Sequence, residues 1–144
     1  MSDLRVVVDT NVLVSGLFGM KDSPSLQILK AYRTQKIILV SSPLILEEVS
    51  EVINRERIVK LTKMTAGQRV DFMDKLIERS DVTAGKQLVE QVGRDIKDDK
   101  FLACAIEAKA DYLITGDEDL LVLKDYGGIK IMTPREFLGV LSKN

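Results

Sequence analysis

The residues LRVVVDTN, positions 4–11, indicate the fold class most directly. Leu4 to Val8 form a short apolar run of mainly β-branched residues, which predicts a strand buried on both faces. Asp9, Thr10 and Asn11 follow directly, so polar side chains stand where this strand ends. If strands and helices alternate along the rest of the chain, Asp9 lies where open α/β sheets bind their ligands.

The remaining sequence does alternate in this way. Strands are predicted at residues 37–40, 110–115 and 129–132, Val82 fits a short strand, and 116–119 fit a turn. Helices are predicted after the capping residues Ser23, Ser42, Thr65 and Thr133, and another over residues 98–109. Residues 80–95 otherwise show no clear pattern. The 144 residues therefore predict a single domain, residues 1–144, of the α/β class. We expect a mainly parallel central sheet flanked by helices on both faces.

Composition points to a globular protein outside the membrane. Hydrophobic residues make up 45% of the chain and charged residues 30%, which is typical of folded rather than disordered chains. No apolar run approaches the roughly 20 residues of a membrane helix, and the first residues lack the layout of a signal peptide. Cys104, the single cysteine, cannot form an internal disulfide. These features predict a cytoplasmic protein.

The chain contains no histidine. This excludes Ser-His-Asp and Cys-His catalysis, histidine general bases and histidine-ligated zinc. The formal net charge is −1, so a nucleic-acid ligand would need a local basic patch. Any chemistry must depend on carboxylates, hydroxyls, lysine, arginine or tyrosine.

Two aspartates are expected at one edge of the sheet. Asp9 ends the first predicted strand, and Asp117 follows the strand predicted at 110–115. Since open α/β sheets bind ligands beyond the carboxyl ends of their strands, both acids are expected to face one cleft. Each acid alone also fits an ordinary turn residue.

Two helical acids complete the set. Glu48 lies on the apolar stripe of its predicted helix, whereas Glu47 lies nearer the solvated face. An ionised glutamate on that stripe is costly unless it is paired. The sequence shows no obvious partner for Glu48, which favours a metal ion, although a rim position is the ordinary alternative. Asp98 extends the inward stripe of the later helix and Asp99 lies one step around it. Capping of the helix start is the ordinary alternative for both aspartates.

Several carboxylates in one cleft repel one another, and their pKa values are expected to rise. Hard divalent cations remove that penalty, and Mg²⁺ and Mn²⁺ take oxygen ligands without histidine or cysteine. Such an ion lowers the pKa of a bound water and stabilises a leaving oxygen. The set of acids therefore predicts metal-dependent cleavage of phosphodiesters.

Four segments together resemble the PIN domain family. They are VVVDTNVL at 6–13, SSPLILEEV at 41–49, DDKFLACA at 98–105 and TGDEDL at 115–120. One such segment alone is weak, but four in order, spanning nearly the whole chain, are fairly specific. The resemblance implies an acidic quartet of catalytic and metal-binding residues, with one further ligand and three supporting residues. The quartet is Asp9, Glu48, Asp98 and Asp117, the further ligand is Asp119, and the supporting residues are Thr10, Asn11 and Thr115.

The same resemblance implies a Mg²⁺- or Mn²⁺-dependent endoribonuclease that acts on single-stranded RNA. Many small members resemble the toxin of a toxin–antitoxin pair, form homodimers and are inhibited by an antitoxin protein, whereas others process ribosomal RNA or degrade messages. RNA needs cationic contacts. The best local cluster is Arg55, Arg57, Lys60 and Lys63, for which a solvated helical face is the ordinary alternative.

Other classes of function are also considered. A phosphatase of the haloacid dehalogenase type needs a second aspartate two residues after the first, where this chain has Asn11. A response-regulator receiver needs a lysine after a late strand, where the chain has Gly116 and Asp117. A non-catalytic PIN-like module that binds RNA or protein is the remaining alternative, and retained RNA binding without cleavage would identify it.

Overall fold

A computed structural model describes residues 4–18, 20–85 and 96–143, and for residues 96–99 the backbone alone. The strands are β1 (Arg5–Val8), β2 (Ile38–Ser41), β3 (Asp81–Val82), β4 (Tyr112–Ile114), β5 (Asp125–Tyr126) and β6 (Ile129–Met132). The helices are α1 (Thr10–Ser15), α2 (Pro24–Arg33), α3 (Pro43–Ile53), α4 (Glu56–Thr62), α5 (Ala66–Arg79), α6 (Ile96–Glu107), α7 (Glu118–Leu121) and α8 (Pro134–Leu141).

These strands form one sheet in the order β3-β2-β1-β4-β6-β5. Neighbouring strands are parallel, except that β5 runs antiparallel to β6. Val6 in β1 is paired with Leu39 on one side and with Tyr112 on the other. The chain winds outward from β1 to β3 and then continues from β1 in the other direction with β4. The strand order therefore reverses between β1 and β4, which is where sheets of this kind bind ligands.

The central strands are covered on both faces. Successive side chains of a strand point to opposite faces of the sheet. Val6 and Val7 are 0% exposed, and Leu113 and Ile114 in β4 are equally buried. Burial of both alternating sets means that helices cover the sheet on both sides, as predicted for a parallel α/β sheet.

The four helix starts predicted from capping residues are confirmed, whereas the helix predicted over 98–109 is Ile96–Glu107. The hydroxyls of Ser23 and Ser42 accept hydrogen bonds from backbone N–H groups three residues later. Thr65 and Thr133 each form a complete capping box with the residue three positions on. These caps satisfy N–H groups that the first helical turn leaves unpaired, so short local sequences fix where four of the helices begin.

Three short elements differ from the expectation. Residues 10–15 form α1, because Asp9 caps them and Val12, Leu13 and Val14 are buried. The turn predicted after Gly116 continues into α7, capped by Asp117. β5 was not predicted, since two residues carry too little pattern. Val82 lies in a strand as expected, and residues 86–95 lie outside the described residues.

Within the described residues, none of the helices has both the length and the apolar character needed to cross a membrane.

Candidate active site

The carboxyl ends of β1 and β4 bring Asp9 and Asp117 to one edge of the sheet. The Asp9 backbone N–H donates to the Ile114 carbonyl at 2.9 Å, so the chain leaves β1 directly beside the end of β4. Thr115 follows Ile114, and its backbone N–H donates to the Met132 carbonyl of β6 at 3.0 Å. The sheet therefore holds the segment that carries Thr115 and Asp117 next to Asp9.

Asp9 is buried and held by uncharged donors. Its side chain is 7% exposed. Oδ1 accepts a hydrogen bond from the Asn11 backbone N–H at 2.9 Å, and Oδ2 accepts one from the Thr115 hydroxyl at 2.8 Å. A carboxylate oxygen has room for a second bond. Asp9 is thus fixed in orientation while its oxygens retain capacity for a further ligand.

Thr115 connects the two aspartates. It is 0% exposed, and its hydroxyl also accepts a hydrogen bond from the Asp117 backbone N–H at 3.0 Å. Asp117 Oδ1 in turn accepts from the Asp119 backbone N–H at 2.8 Å. The single Thr115 hydroxyl therefore fixes the position of Asp117 relative to Asp9.

The pKa of Asp9 is raised above its ordinary value. Burial is the largest cause, because it removes the charged carboxylate from water. The hydrogen bonds from Asn11 and Thr115 oppose that rise, and the negative charges of Glu48 and Asp117 add to it. The two other acids are thus close enough to Asp9 to act on its ionisation.

Glu48 lies on α3, on the helical side of the site. It is partly buried, and Glu47 is exposed, as the helical stripe predicts. Leu44, one turn earlier, is 60% exposed, so it lies at the cleft rim and not in the core. Lys100 on α6 forms an ion pair with Glu48 through Nζ and Oε2. The expectation that Glu48 has no partner is therefore wrong.

A cleft of about 710 Å³ contains these groups. Gly116 and Asn11 also line it. The charged residues that line it are mostly acidic: Asp9, Glu47, Glu48, Glu51 and Asp117, with Arg55 and Lys100. The excess of carboxylates gives the cleft a negative potential, which favours a cation.

The other predicted acids are placed as follows. Asp98 and Asp99 lie in α6 by their backbone, and their side chains are outside the described residues. Asp119 lies beyond the cleft lining, in the first turn of α7. Among the side chains that the structure describes, no three His, Cys, Asp or Glu residues are grouped closely enough to hold a metal ion. The oxygens of Asp9, Asp117 and Glu48 nevertheless are the donor type that Mg²⁺ and Mn²⁺ prefer.

The predicted supporting residues have different environments. Thr115 contacts Asp9 directly, as described above. Asn11 contributes its backbone N–H, and its exposed side chain lines the cleft. Thr10 is 0% exposed, and in the part of the chain that is described its hydroxyl has no hydrogen-bond partner.

Only part of the predicted basic cluster reaches the cleft. Arg55 lines it and pairs with Glu51 at 2.7 Å. Lys60 pairs with Glu56 at 3.3 Å on α4, and Arg57 and Lys63 are exposed residues outside the lining. Sequence reasoning missed Lys100, because its proximity to Glu48 depends on the packing of α6 against α3.

Cys104 does not contribute a nucleophile. It is 2% exposed, and burial raises the pKa of its thiol to about 12. The reactive thiolate is therefore not populated at neutral pH.

Comparisons with known proteins identify the family. A family profile described as "PIN domain" matches residues 5–119. The chain is similar to a solved structure titled "Structure of T. brucei RRP44 PIN domain", with 15% identity and a TM-score of 0.49, over 97% of this chain and 82% of that one. No curated protein matches the chain. PIN domains are generally metal-dependent nucleases that act on RNA. With the profile covering most of its length, this chain belongs to the PIN domain family.

Proposed function

We propose that the chain is a Mg²⁺- or Mn²⁺-dependent endoribonuclease, in which residues 1–144 work as one nuclease domain. One observation carries the proposal. An aspartate, Asp9, lies at the switch point of the sheet, where burial raises its pKa and the negative charges of Glu48 and Asp117 add to that rise. Burial of a carboxylate among other acids is unfavourable by itself, and a divalent cation at this place removes the cost.

The proposed ligands are Asp9, Glu48, Asp117 and, by family resemblance, Asp98, with Asp119 as a further candidate. A bound Mg²⁺ or Mn²⁺ supplies an activated water and stabilises negative charge on the phosphate. The protein's own contribution is to orient the acids. Thr115 and the Asn11 N–H hold Asp9 through uncharged donors, so the bonds that orient Asp9 add no positive charge that would compete with the ion.

The cleft supports RNA as the substrate. Its volume is about 710 Å³, and Gly116 lines it without a side chain that would obstruct a strand. Arg55 at its edge supplies a cation for the RNA backbone. We include Arg57 and Lys60 on α4, and Lys63 directly after it, as outer contacts for a longer strand, since Arg57 and Lys63 are exposed and Lys60 holds only a surface pair.

We also propose the biological setting that the family resemblance implies. The chain would act as the toxin of a toxin–antitoxin pair in the cytoplasm, as a homodimer held inactive by an antitoxin protein. Co-purification of a partner encoded beside this chain, together with growth arrest on expression of the chain alone, is the expected result. Normal growth with an active purified nuclease would instead favour a role in RNA processing.

A cleavage assay with a matched pair of variants tests the nuclease proposal. Asp9→Asn keeps the size of the side chain and removes its charge. Asp74→Asn makes the same change at an exposed position on α5. With single-stranded RNA and Mn²⁺, we expect wild type and Asp74→Asn to cleave equally and Asp9→Asn to lose activity. Equal activity of all three proteins would contradict the proposed site.

A non-catalytic PIN-like module that binds RNA or protein is the second candidate. It is favoured by the ion pair of Glu48 with Lys100, and by the lack of a ready three-carboxylate group among the described side chains. This alternative predicts RNA binding that does not depend on divalent cations, and no cleavage by wild type at any Mg²⁺ or Mn²⁺ concentration.

A further inference from the structure

Lys100 differs from Arg55, the other basic residue among the described side chains that line the cleft. Its side chain is only 16% exposed, and its partner is a carboxylate of the proposed metal site. Arg55 is 56% exposed and pairs with Glu51, which is also well exposed. Lys100 therefore places a partly buried positive charge within the acidic part of the cleft, whereas Arg55 forms an ordinary surface pair.

The ion pair has a direct consequence for a second cation. Glu48 already has a positive partner, and two cations at one carboxylate repel each other strongly in a partly buried place. Repulsion between the two cations therefore favours displacement of the Lys100 ammonium when a divalent ion uses Glu48. Binding of the ion and the Lys100–Glu48 pair are then competing states of the same cleft.

Displacement removes the Lys100 ammonium from the carboxylate that neutralises it. The ammonium lies 5.7 Å from the centroid of the Phe101 ring, and Phe101 is 3% exposed, so the lysine stem extends along a buried wall. An ammonium left there without an anion is costly. If the cleft binds RNA as proposed, a backbone phosphate would supply an anion that accepts hydrogen bonds from an ammonium.

We propose that Lys100 is an exchangeable partner within the site. In the metal-free protein it pairs with Glu48 and competes with the divalent cation, and after displacement it binds a phosphate of the single-stranded RNA. This inference rests on the proposed nuclease function. It couples the two ligands, because the ion frees the lysine that the RNA uses, and each ligand therefore strengthens binding of the other.

The first test measures Mn²⁺ binding by isothermal titration calorimetry, without RNA and without turnover. Lys100→Met keeps the apolar stem and removes the competing charge. We expect it to bind Mn²⁺ about fivefold or more tightly than wild type, in line with typical coupling between ligands. Lys100→Arg should resemble wild type. Lys75→Met, the matched control at an exposed pair with Asp71 on α5 and away from the cleft lining, should leave Mn²⁺ affinity unchanged.

The outcomes separate this inference from the function on which it rests. If wild type binds Mn²⁺, Asp9→Asn does not, and Lys100→Met binds equally or more weakly than wild type, the exchange is wrong and the metal site stands. If neither wild type nor Lys100→Met binds Mn²⁺, both proposals fail. If only Lys100→Met binds, the exchange is supported. Lys100→Gln replaces Lys100→Met if the latter does not fold.

The second test measures the phosphate contact. Binding of a fluorescein-labelled twelve-nucleotide single-stranded RNA is followed by anisotropy at several salt concentrations, with Ca²⁺, which takes the same type of oxygen ligand. One phosphate contact fewer lowers the slope of log K against log salt by about 0.7 for a single strand. We expect this decrease for Lys100→Met and little change for Lys100→Arg. An unchanged slope for Lys100→Met overturns the inference.

Discussion

The two walls of the cleft hold their acids in different ways. The strand wall consists of Asp9, Thr115 and Asp117, and the helix wall consists of Glu48, Glu51, Arg55 and Lys100. On the strand wall the carboxylates accept hydrogen bonds from uncharged backbone and hydroxyl donors. On the helix wall Glu51 and Glu48 are paired with the flexible cationic side chains of Arg55 and Lys100.

The strand wall therefore orients its carboxylates, whereas the helix wall neutralises them. Uncharged donors on the strand wall fix the carboxylates and leave their charges uncompensated, and burial then raises the pKa of Asp9. Ion pairs on the helix wall neutralise the acids, but long lysine and arginine side chains exchange partners readily. The strand wall is therefore the rigid half of the proposed ion site, and the helix wall is its adjustable half.

In this comparison of the two walls, RNA cleavage should fall most when a large side chain at the strand wall occupies the cleft. A Cβ at Gly116 would meet no atom within 4 Å, so Gly116→Leu should fold normally and project into the cleft. RNA cleavage should fall by about a hundredfold, the scale of a substrate displaced by an ångström. Gly139→Leu, also in open space, is the control. Full cleavage by Gly116→Leu would show that RNA does not use this cleft.

The next effect tests the rigidity of the strand wall. Thr115→Val removes the hydroxyl that bonds Asp9 and leaves the Asp117 N–H without its acceptor. We expect a loss of about 1–3 kcal/mol of stability, as for other buried groups left unsatisfied. Urea denaturation measures it. Thr115→Ser, which keeps the hydroxyl, should lose much less, and equal losses for both variants would assign the effect to packing.

Because the negative charge of Asp9 is uncompensated, the free energy of unfolding in EDTA should depend on pH. The folded pKa of Asp9 is raised above the unfolded value, so the folded state holds the proton more tightly. Stability from this group is present at low pH and is lost as the pH rises from about 4 through the folded pKa. Asp9→Asn has no such loss.

The measurement is the free energy of unfolding between pH 4 and pH 8. The advantage of Asp9→Asn over wild type should grow with pH and then level off, whereas Asp74→Asn should parallel wild type. A difference in the free energy of unfolding between Asp9→Asn and wild type that does not change with pH would contradict the raised pKa. So would a difference that shifts in favour of wild type as the pH rises to neutral.

The smallest effect is expected on the helix wall. Arg55 and Glu51 form an exposed i,i+4 pair, and such pairs contribute about 0.3–0.5 kcal/mol. A double-mutant cycle with Arg55→Gln and Glu51→Gln should give a coupling energy in this range. A coupling well above 1 kcal/mol would mean that this wall is also fixed, and the contrast between the walls would fail.

Much of the fold followed from local sequence. Ser23, Ser42, Thr65 and Thr133 cap their helices by contacts within a few residues, which is the range that a sequence pattern describes. The short elements α1, α7 and β5 were missed. Their stability comes from burial and from neighbouring strands, which local patterns do not record.

For the site too, the sequence predicted what strand ends and helical periodicity determine and missed what depends on the packing of separate helices. The meeting of Asp9 and Asp117 follows from parallel strand ends, and the inward side of Glu48 follows from helical periodicity. The pairing of Glu48 with Lys100 does not, because two separate helices must first pack together. For the same reason Arg55 is the member of the predicted basic cluster that reaches the cleft. The role of Asp98 stays a prediction.

Thermal unfolding with EDTA and with excess Mn²⁺ tests most directly the claim that these acids hold a divalent cation. At about 100 times its Kd a ligand adds roughly 2.7 kcal/mol. For a domain of this size, wild type should then melt on the order of 5–10 °C higher in Mn²⁺ than in EDTA. Asp9→Asn should melt at or above wild type in EDTA and gain little from Mn²⁺. Equal melting temperatures of wild type in EDTA and Mn²⁺ would contradict the account.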